Sequence, residues 1–173
     1  MVEVRVLGPV AVADGSTVDA VGARRLRALL AALALAGGGV VSTDALVEAL
    51  WGDDPPDGVR GTLQSYVSRL RATLGSDAIG FEPGGYCLRT PTDLLAVEAL
   101  ASRGRSIAER DPSAAADCFD AALAHWRGPA LGDLADDTWF APDRARLAEL
   151  HRSLVDDRIE AHIRAGRAAR AHV

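Results

Sequence analysis

Four long hydrogen-bond donors, Arg60, Gln64, Arg69 and Arg71, fall within one short stretch, "VRGTLQSYVSRLRATLG" (59–75), and Thr62, Ser65, Tyr66 and Ser68 add hydroxyls. A guanidinium presents a planar fork of N–H groups that fits the paired acceptors of a guanine edge or a phosphate, and a Gln amide fits adenine. The stretch carries no carboxylate, although the whole chain has a formal net charge of −5. From Asp57 to Asp77 there are three arginines and no intervening acid. A second acid-free window, from Asp19 to Asp44, holds Arg24, Arg25 and Arg27. A surface that meets a phosphate backbone requires such windows, because a nearby carboxylate repels the ligand.

Other chemistries find no support. His125, His151, His162 and His172 form no standard metal spacing with Cys87 and Cys118. Neither GxxxxGK[ST] nor GxGxxG occurs. The acidic pairs Asp53-Asp54 and Asp136-Asp137 read as loops, and Asp156-Asp157 as a solvated helix face. Nothing assembles a catalytic set, so no enzyme, metal or cofactor is expected. The net charge excludes a non-specific binder acting through bulk charge and leaves room for a local basic face. All 19 basic residues are Arg, to which we attach no functional weight. Two cysteines far apart make a poor disulfide framework and point to a reducing, cytoplasmic setting. The N-terminal stretch has no continuous apolar region of the kind a signal peptide needs. "LLAALALA" (29–36) is too short to span a bilayer, so no membrane partner is expected.

The elements that must position these donors follow from periodicity. Val2, Val4 and Val6 alternate with charges, "VAVA" follows "GP", and "DGS" (14–16) marks a tight turn, so residues 2–20 read as short strands. From Ala23 the period becomes helical through Leu26, Leu29, Leu30 and Leu33, ending at Gly37–Gly39. "VV" (40–41) suits a short strand. Ser42, Thr43 or Asp44 then caps a helix carrying Leu46, Val47, Leu50 and Trp51, which "GDDPPDG" (52–58) closes. A third helix spans the quoted stretch. Two apolar strands flank Pro83-Gly84, a type II turn pair. Composition shifts near "TPTD" (90–93), placing a domain boundary near residue 91. Beyond it, 93–127 reads as a helical hairpin. Asp111-Pro112 starts its second helix and Gly128-Pro129 stops it. A long helix follows from about Pro142 to Ala165, with Leu147, Leu150, Leu154 and Ile163 inward. Trp126, Trp139 and Phe140 read as packing residues. "RAGRAARAHV" (164–173) has no terminating element, so a helical domain cut short is expected.

Placed at 100° per residue, Val59, Leu63, Tyr66, Val67, Leu70 and Leu74 share an arc of about 100° that faces a core. The opposite face is centred on Gly61, Ser65, Ser68 and Ala72, all small, with Arg60, Gln64 and Arg71 on one edge and Thr62 and Arg69 on the other. Exposed helices usually carry long charged residues at the crown. A small crown with flanking donors lets the backbone approach a groove closely. Alone, an Arg-bearing amphipathic helix is more often a solvated face, so its surroundings decide. Helix, short helix ending in Trp, proline loop, polar-faced helix and hairpin is the order of a winged helix-turn-helix.

The segments "ALWGDDPP", "TLQSYVSRLR" and "GGYCLR", followed by "HWRGPAL", resemble SARP-type antibiotic regulatory proteins. The resemblance covers nearly the whole chain. It implies a mainly α fold with small β-sheets, in which an OmpR-type winged helix-turn-helix (1–90) precedes an all-α, tetratricopeptide-like bacterial transcriptional activation domain (91–173). It implies a recognition helix over 58–75, with Ser65 and Arg69 near bases and Arg60, Tyr66, Ser68 and Arg71 on the phosphate backbone. Thr62 and Gln64 flank that surface, Tyr86 and Arg89 belong to the wing, and Asp53 and Asp54 lie in a loop associated with RNA polymerase. One departure stands out: related wings carry Arg directly after "GY", where this chain has Cys87. Arg89, two residues on, points to the same side and can compensate. The expected partners are promoter DNA with direct repeats, RNA polymerase holoenzyme and a second protomer side by side on DNA. The expected targets are antibiotic biosynthesis genes. The rival reading is a protein-interaction module whose winged helix docks protein rather than DNA.

Overall fold

The computed structural model describes residues 2–15 and 17–166. The chain forms β1 (Val2–Arg5), β2 (Ala11–Asp14), β3 (Thr17–Ala20), α1 (Arg24–Leu35), β4 (Val41–Ser42), α2 (Thr43–Trp51), α3 (Val59–Leu74), β5 (Ile79–Glu82) and β6 (Gly85–Leu88). The helices α4 (Asp93–Ile107), α5 (Pro112–Leu123) and α6 (Ala141–Arg164) follow, with 3₁₀ turns at Gly132–Leu134 and Thr138–Phe140 before the last. Two antiparallel three-stranded sheets flank the first three helices, in the orders β1-β2-β3 and β4-β6-β5. The expected fold class, mainly α with small sheets, is the one observed.

Local chemistry accounts for most element ends. The Ser42 side chain accepts from Ala45 N–H at the start of α2, Thr92 from Leu95 N–H at α4 and Asp111 from Ala114 N–H at α5. Pro112 follows Asp111 at the first turn of α5. The hairpin turn follows Pro83 with Gly84 at φ 95°, the left-handed value that a type II turn needs at its third residue. Leu29, Leu30 and Leu33 of α1, Leu46 of α2 and Leu63 and Leu70 of α3 are buried with Ile79 and Leu88 of the hairpin. The core continues without a break into Leu94, Phe119, Phe140, Leu147 and Leu154 of the helical half.

The junction between the halves is built on a buried carboxylate. Asp93 is 1% exposed, and its oxygens accept from Val6 N–H at 2.9 and 3.1 Å and from Leu7 N–H at 3.0 Å. Burial raises its carboxyl above the ordinary Asp range, while those two N–H groups and Arg127, 3.7 Å away, pull it down. Val4 N–H donates to Pro91 O, Arg127 N–H to Leu7 O and Leu131 N–H to Val6 O. The segment after β1 is thereby held by α4 on one side and by the chain after α5 on the other.

Those contacts also explain two departures from the periodicity. α5 stops at Leu123, before the predicted Gly128-Pro129 boundary, because Arg127 must turn to meet Leu7 and Trp126 packs edge-on against His151 at 5.0 Å. Ile163, expected inward, is 59% exposed, whereas Ala161 and His162 are buried. His162 faces inward because Asp120 of α5 meets its Nε2 at 3.0 Å. Leu147 and Leu154 are buried as expected. The predicted turn residue Ser16, His172 and most of the "RAGRAARAHV" segment (residues 167–173) lie outside the described residues.

Replacing Asp93 by Ala strands two buried N–H groups, each costing about 1–3 kcal/mol. Asp93→Ala therefore lowers unfolding free energy by about 2–6 kcal/mol in urea titrations. The pH dependence carries its own sign: a carboxyl whose native pKa is raised favours the fold most below the unfolded value, about 3.9. That contribution is lost as pH rises through the raised native value. The stability of wild type relative to Asp93→Asn therefore declines as pH rises above about 4.

Candidate nucleic-acid interface

The candidate surface is the outward face of α3, which Leu63, Val67, Leu70 and Leu74 fix by their burial on the other side. Gly61, Ser65, Ser68 and Ala72 are exposed along its crown, with Gln64 and Arg69 exposed beside them. The Arg69 guanidinium meets no carboxylate among the described residues. Arg60 is 3.7 Å from Asp44 of α2, but both side chains are largely exposed, at 77% and 89%. Such a pair is worth at most about 1 kcal/mol, so phosphate can displace it. Thr62 is half-buried.

Three aromatic or cationic side chains from the resemblance are placed differently. Tyr66 is half-buried and stacks on Trp51 with ring centroids 5.9 Å apart and planes 12° from parallel. Tyr86 is 6% exposed, packed edge-on against Phe81 at 5.2 Å, so its ring belongs to the core and not to an open wing surface. Arg71 is a tether: its Nε and Nη2 donate to Ile79 O at 3.0 and 2.7 Å, fastening α3 to β5. The helical wheel placed Arg71 on the donor edge because periodicity carries no information about a strand eight residues on.

The wing has one cation, and it is engaged. Cys87 is 6% exposed. The exposed Arg89 guanidinium donates to Glu82 Oε1 at 2.8 Å, and Glu82 and then the Cys87 thiol raise its basicity further. It lies flat across Gly80, where an added Cβ would come within 2.6 Å of its Nη2, so the glycine makes the close approach possible.

The second acid-free window proves acid-free only in sequence. Arg27 Nε lies 2.7 Å from Asp133, and Arg24 Nη2 lies 3.3 Å from Asp137. Asp133 also accepts from Val10 N–H at 2.9 Å. These arginines clamp α1 to the helical half. Arg25 differs: its Cζ lies 5.7 Å from the centroid of the Trp51 ring. Asp53 and Asp54 are exposed in the loop between α2 and α3. Among the described residues no cluster of three or more His, Cys, Asp or Glu is placed to hold a metal ion. None of the described helices is long and apolar enough to cross a membrane.

Two family models divide the chain between them. Residues 20–88 match the transcriptional regulatory protein C-terminal family, and residues 92–172 match the bacterial transcriptional activator domain. The regulatory protein DnrI of Streptomyces peucetius is 36% identical over 96% of this chain and 67% of its own length. The chain belongs to the SARP family of transcriptional regulators. The regulatory protein AfsR of Streptomyces griseus is 36% identical to this SARP-family chain over 93% of it, but the match spans only 17% of AfsR. A structure of Mycobacterium tuberculosis EmbR in complex with a low-affinity phosphopeptide superposes with a TM-score of 0.89 at 34% identity. That match covers 97% of the chain and 47% of the EmbR chain, so the SARP-family chain spans about half of EmbR. These relatives carry the names of regulatory proteins.

The tether gives a prediction within the fold. Arg71→Ala removes two hydrogen bonds to Ile79 O and costs about 1–2 kcal/mol. Amide hydrogen exchange in the β5–β6 hairpin is expected to accelerate while α1 and α2 keep their protection.

Proposed function

We propose that the chain is a sequence-specific, DNA-binding transcriptional activator of secondary-metabolite (antibiotic) biosynthesis genes, acting in the cytoplasm. The observation that carries this reading is the outward face of α3, a crown of small residues beside the exposed Gln64 and Arg69. Residues 1–90 are then the DNA-reading domain and 91–173 the activation domain. Ser65 and Arg69 approach base edges, Gln64 addresses adenine, and Arg60 and Ser68 contact phosphates, with Thr62 at the flank. Half-sites about one helical turn apart would seat two protomers head to tail on one face of a direct repeat. The family resemblance supports the gene class and the repeat, and the exposed Asp53 and Asp54 supply the surface offered to RNA polymerase.

The wing supports the rival reading of a protein-docking module, since Cys87 is buried and Arg89 is paired with Glu82. Salt dependence separates the two. A DNA reader loses affinity with a log-log slope of about −0.9 per phosphate neutralised, whereas a docking module shows no such dependence on duplex.

Selection from a randomised duplex pool at two salt concentrations tests the proposal. Wild type is expected to enrich a repeated motif. Arg69→Ala should relax preference at one position by about 1–3 kcal/mol while keeping the rest. Failure of wild type to enrich any motif, or to bind duplex even at low salt, overturns the reading. The combined Asp53→Asn, Asp54→Asn variant is expected to bind the selected duplex normally and to lose activation in a reconstituted transcription assay.

A further inference from the structure

The three arginines at the start of α1 have the same side chain and nearly the same sequence surroundings, yet the fold uses them differently. Arg24 and Arg27 are taken by Asp137 and Asp133 of the helical half. Arg25 is exposed and has no carboxylate partner among the described residues, although Asp53 and Asp54 follow Trp51 closely in sequence. Its guanidinium sits instead over Trp51, with its Cζ 5.7 Å from the ring centroid. Trp51 in turn stacks on Tyr66 of α3.

We infer that Arg25 is a phosphate-contacting residue of the DNA-binding surface, positioned by the Trp51–Tyr66 stack beside α3. The inference rests on the DNA-reading proposal above. The physical case has three parts. A guanidinium over an aromatic face keeps its in-plane N–H fork available, so stacking orients the donors without consuming them. An ion pair would consume them, as it does for Arg24 and Arg27. The stack also reaches α3 through Tyr66, whose neighbours Ser65 and Ser68 are exposed on the proposed reading face. Tyr66, which the resemblance placed on the phosphate backbone, thus acts there through Arg25 and not by its own hydroxyl. A contact of this kind is independent of base sequence, because phosphate is the same at every step.

The test compares wild type, Arg25→Ala, Arg25→Lys and Arg103→Ala on the selected duplex across a salt series, with circular dichroism as a check on folding. A mixed-sequence duplex at low salt replaces the selected duplex if none is recovered. Arg103 is exposed on α4 of the helical half, so its loss should leave the slope unchanged. Loss of one phosphate contact in Arg25→Ala should reduce the slope by about 1 unit and leave the selected motif unaltered. Arg25→Lys should restore the slope, since a point charge still neutralises phosphate. A steep wild-type slope that Arg25→Ala does not change overturns the assignment of Arg25 while the DNA reading stands. A wild type that binds no duplex overturns both, and a motif altered in Arg25→Ala overturns the phosphate role in favour of base contact.

Discussion

The buried carboxylate of Asp93 holds the two halves of this regulator in one fixed relationship. It is an unfavourable group to bury, and the fold offsets that cost with Val6 N–H, Leu7 N–H and the Arg127 charge. Satisfying it forces the chain after β1 into the space between α4 and the loop that follows α5. Leu131 completes the enclosure from a left-handed backbone, φ 55°, while fully buried and bonded to Val6 O. A non-glycine residue in that conformation costs on the order of 1–3 kcal/mol, and it persists because its surroundings leave it no alternative. The result is a core that runs without a break from one half of the chain into the other.

Arginine is the sole cationic side chain with a permanent charge here, and the fold uses it in five distinct ways. Arg24 and Arg27 join α1 to the helical half through carboxylates. Arg71 fastens α3 to the hairpin through a backbone carbonyl. Arg89 lies flat on β5, neutralised by Glu82. Arg69 remains open on α3 and Arg25 rests on an aromatic ring. Arg24, Arg27 and Arg89 are thus occupied by carboxylates, whereas Arg25 and Arg69 meet none among the described residues. The engaged wing cation shifts the proposed recognition towards α3 and the start of α1, away from minor-groove width as a signal.

What the sequence by itself determined is the set of properties that depend on near neighbours. The buried and exposed faces of α3, the caps at Ser42 and Asp111, and the turn at Pro83-Gly84 all follow from interactions within a few residues. The family was legible too, because its motifs record those same local constraints in a fixed order. What only the tertiary structure decided is which donors are free. The partner of Arg27 is Asp133 and that of Arg24 is Asp137, more than 100 positions away, so an acid-free window in sequence is not one in space. The inward turn of His162, the outward one of Ile163 and the early end of α5 have the same origin. Helical period fixes a side chain's angle about its own axis, whereas the charge it meets across a junction depends on how whole elements pack.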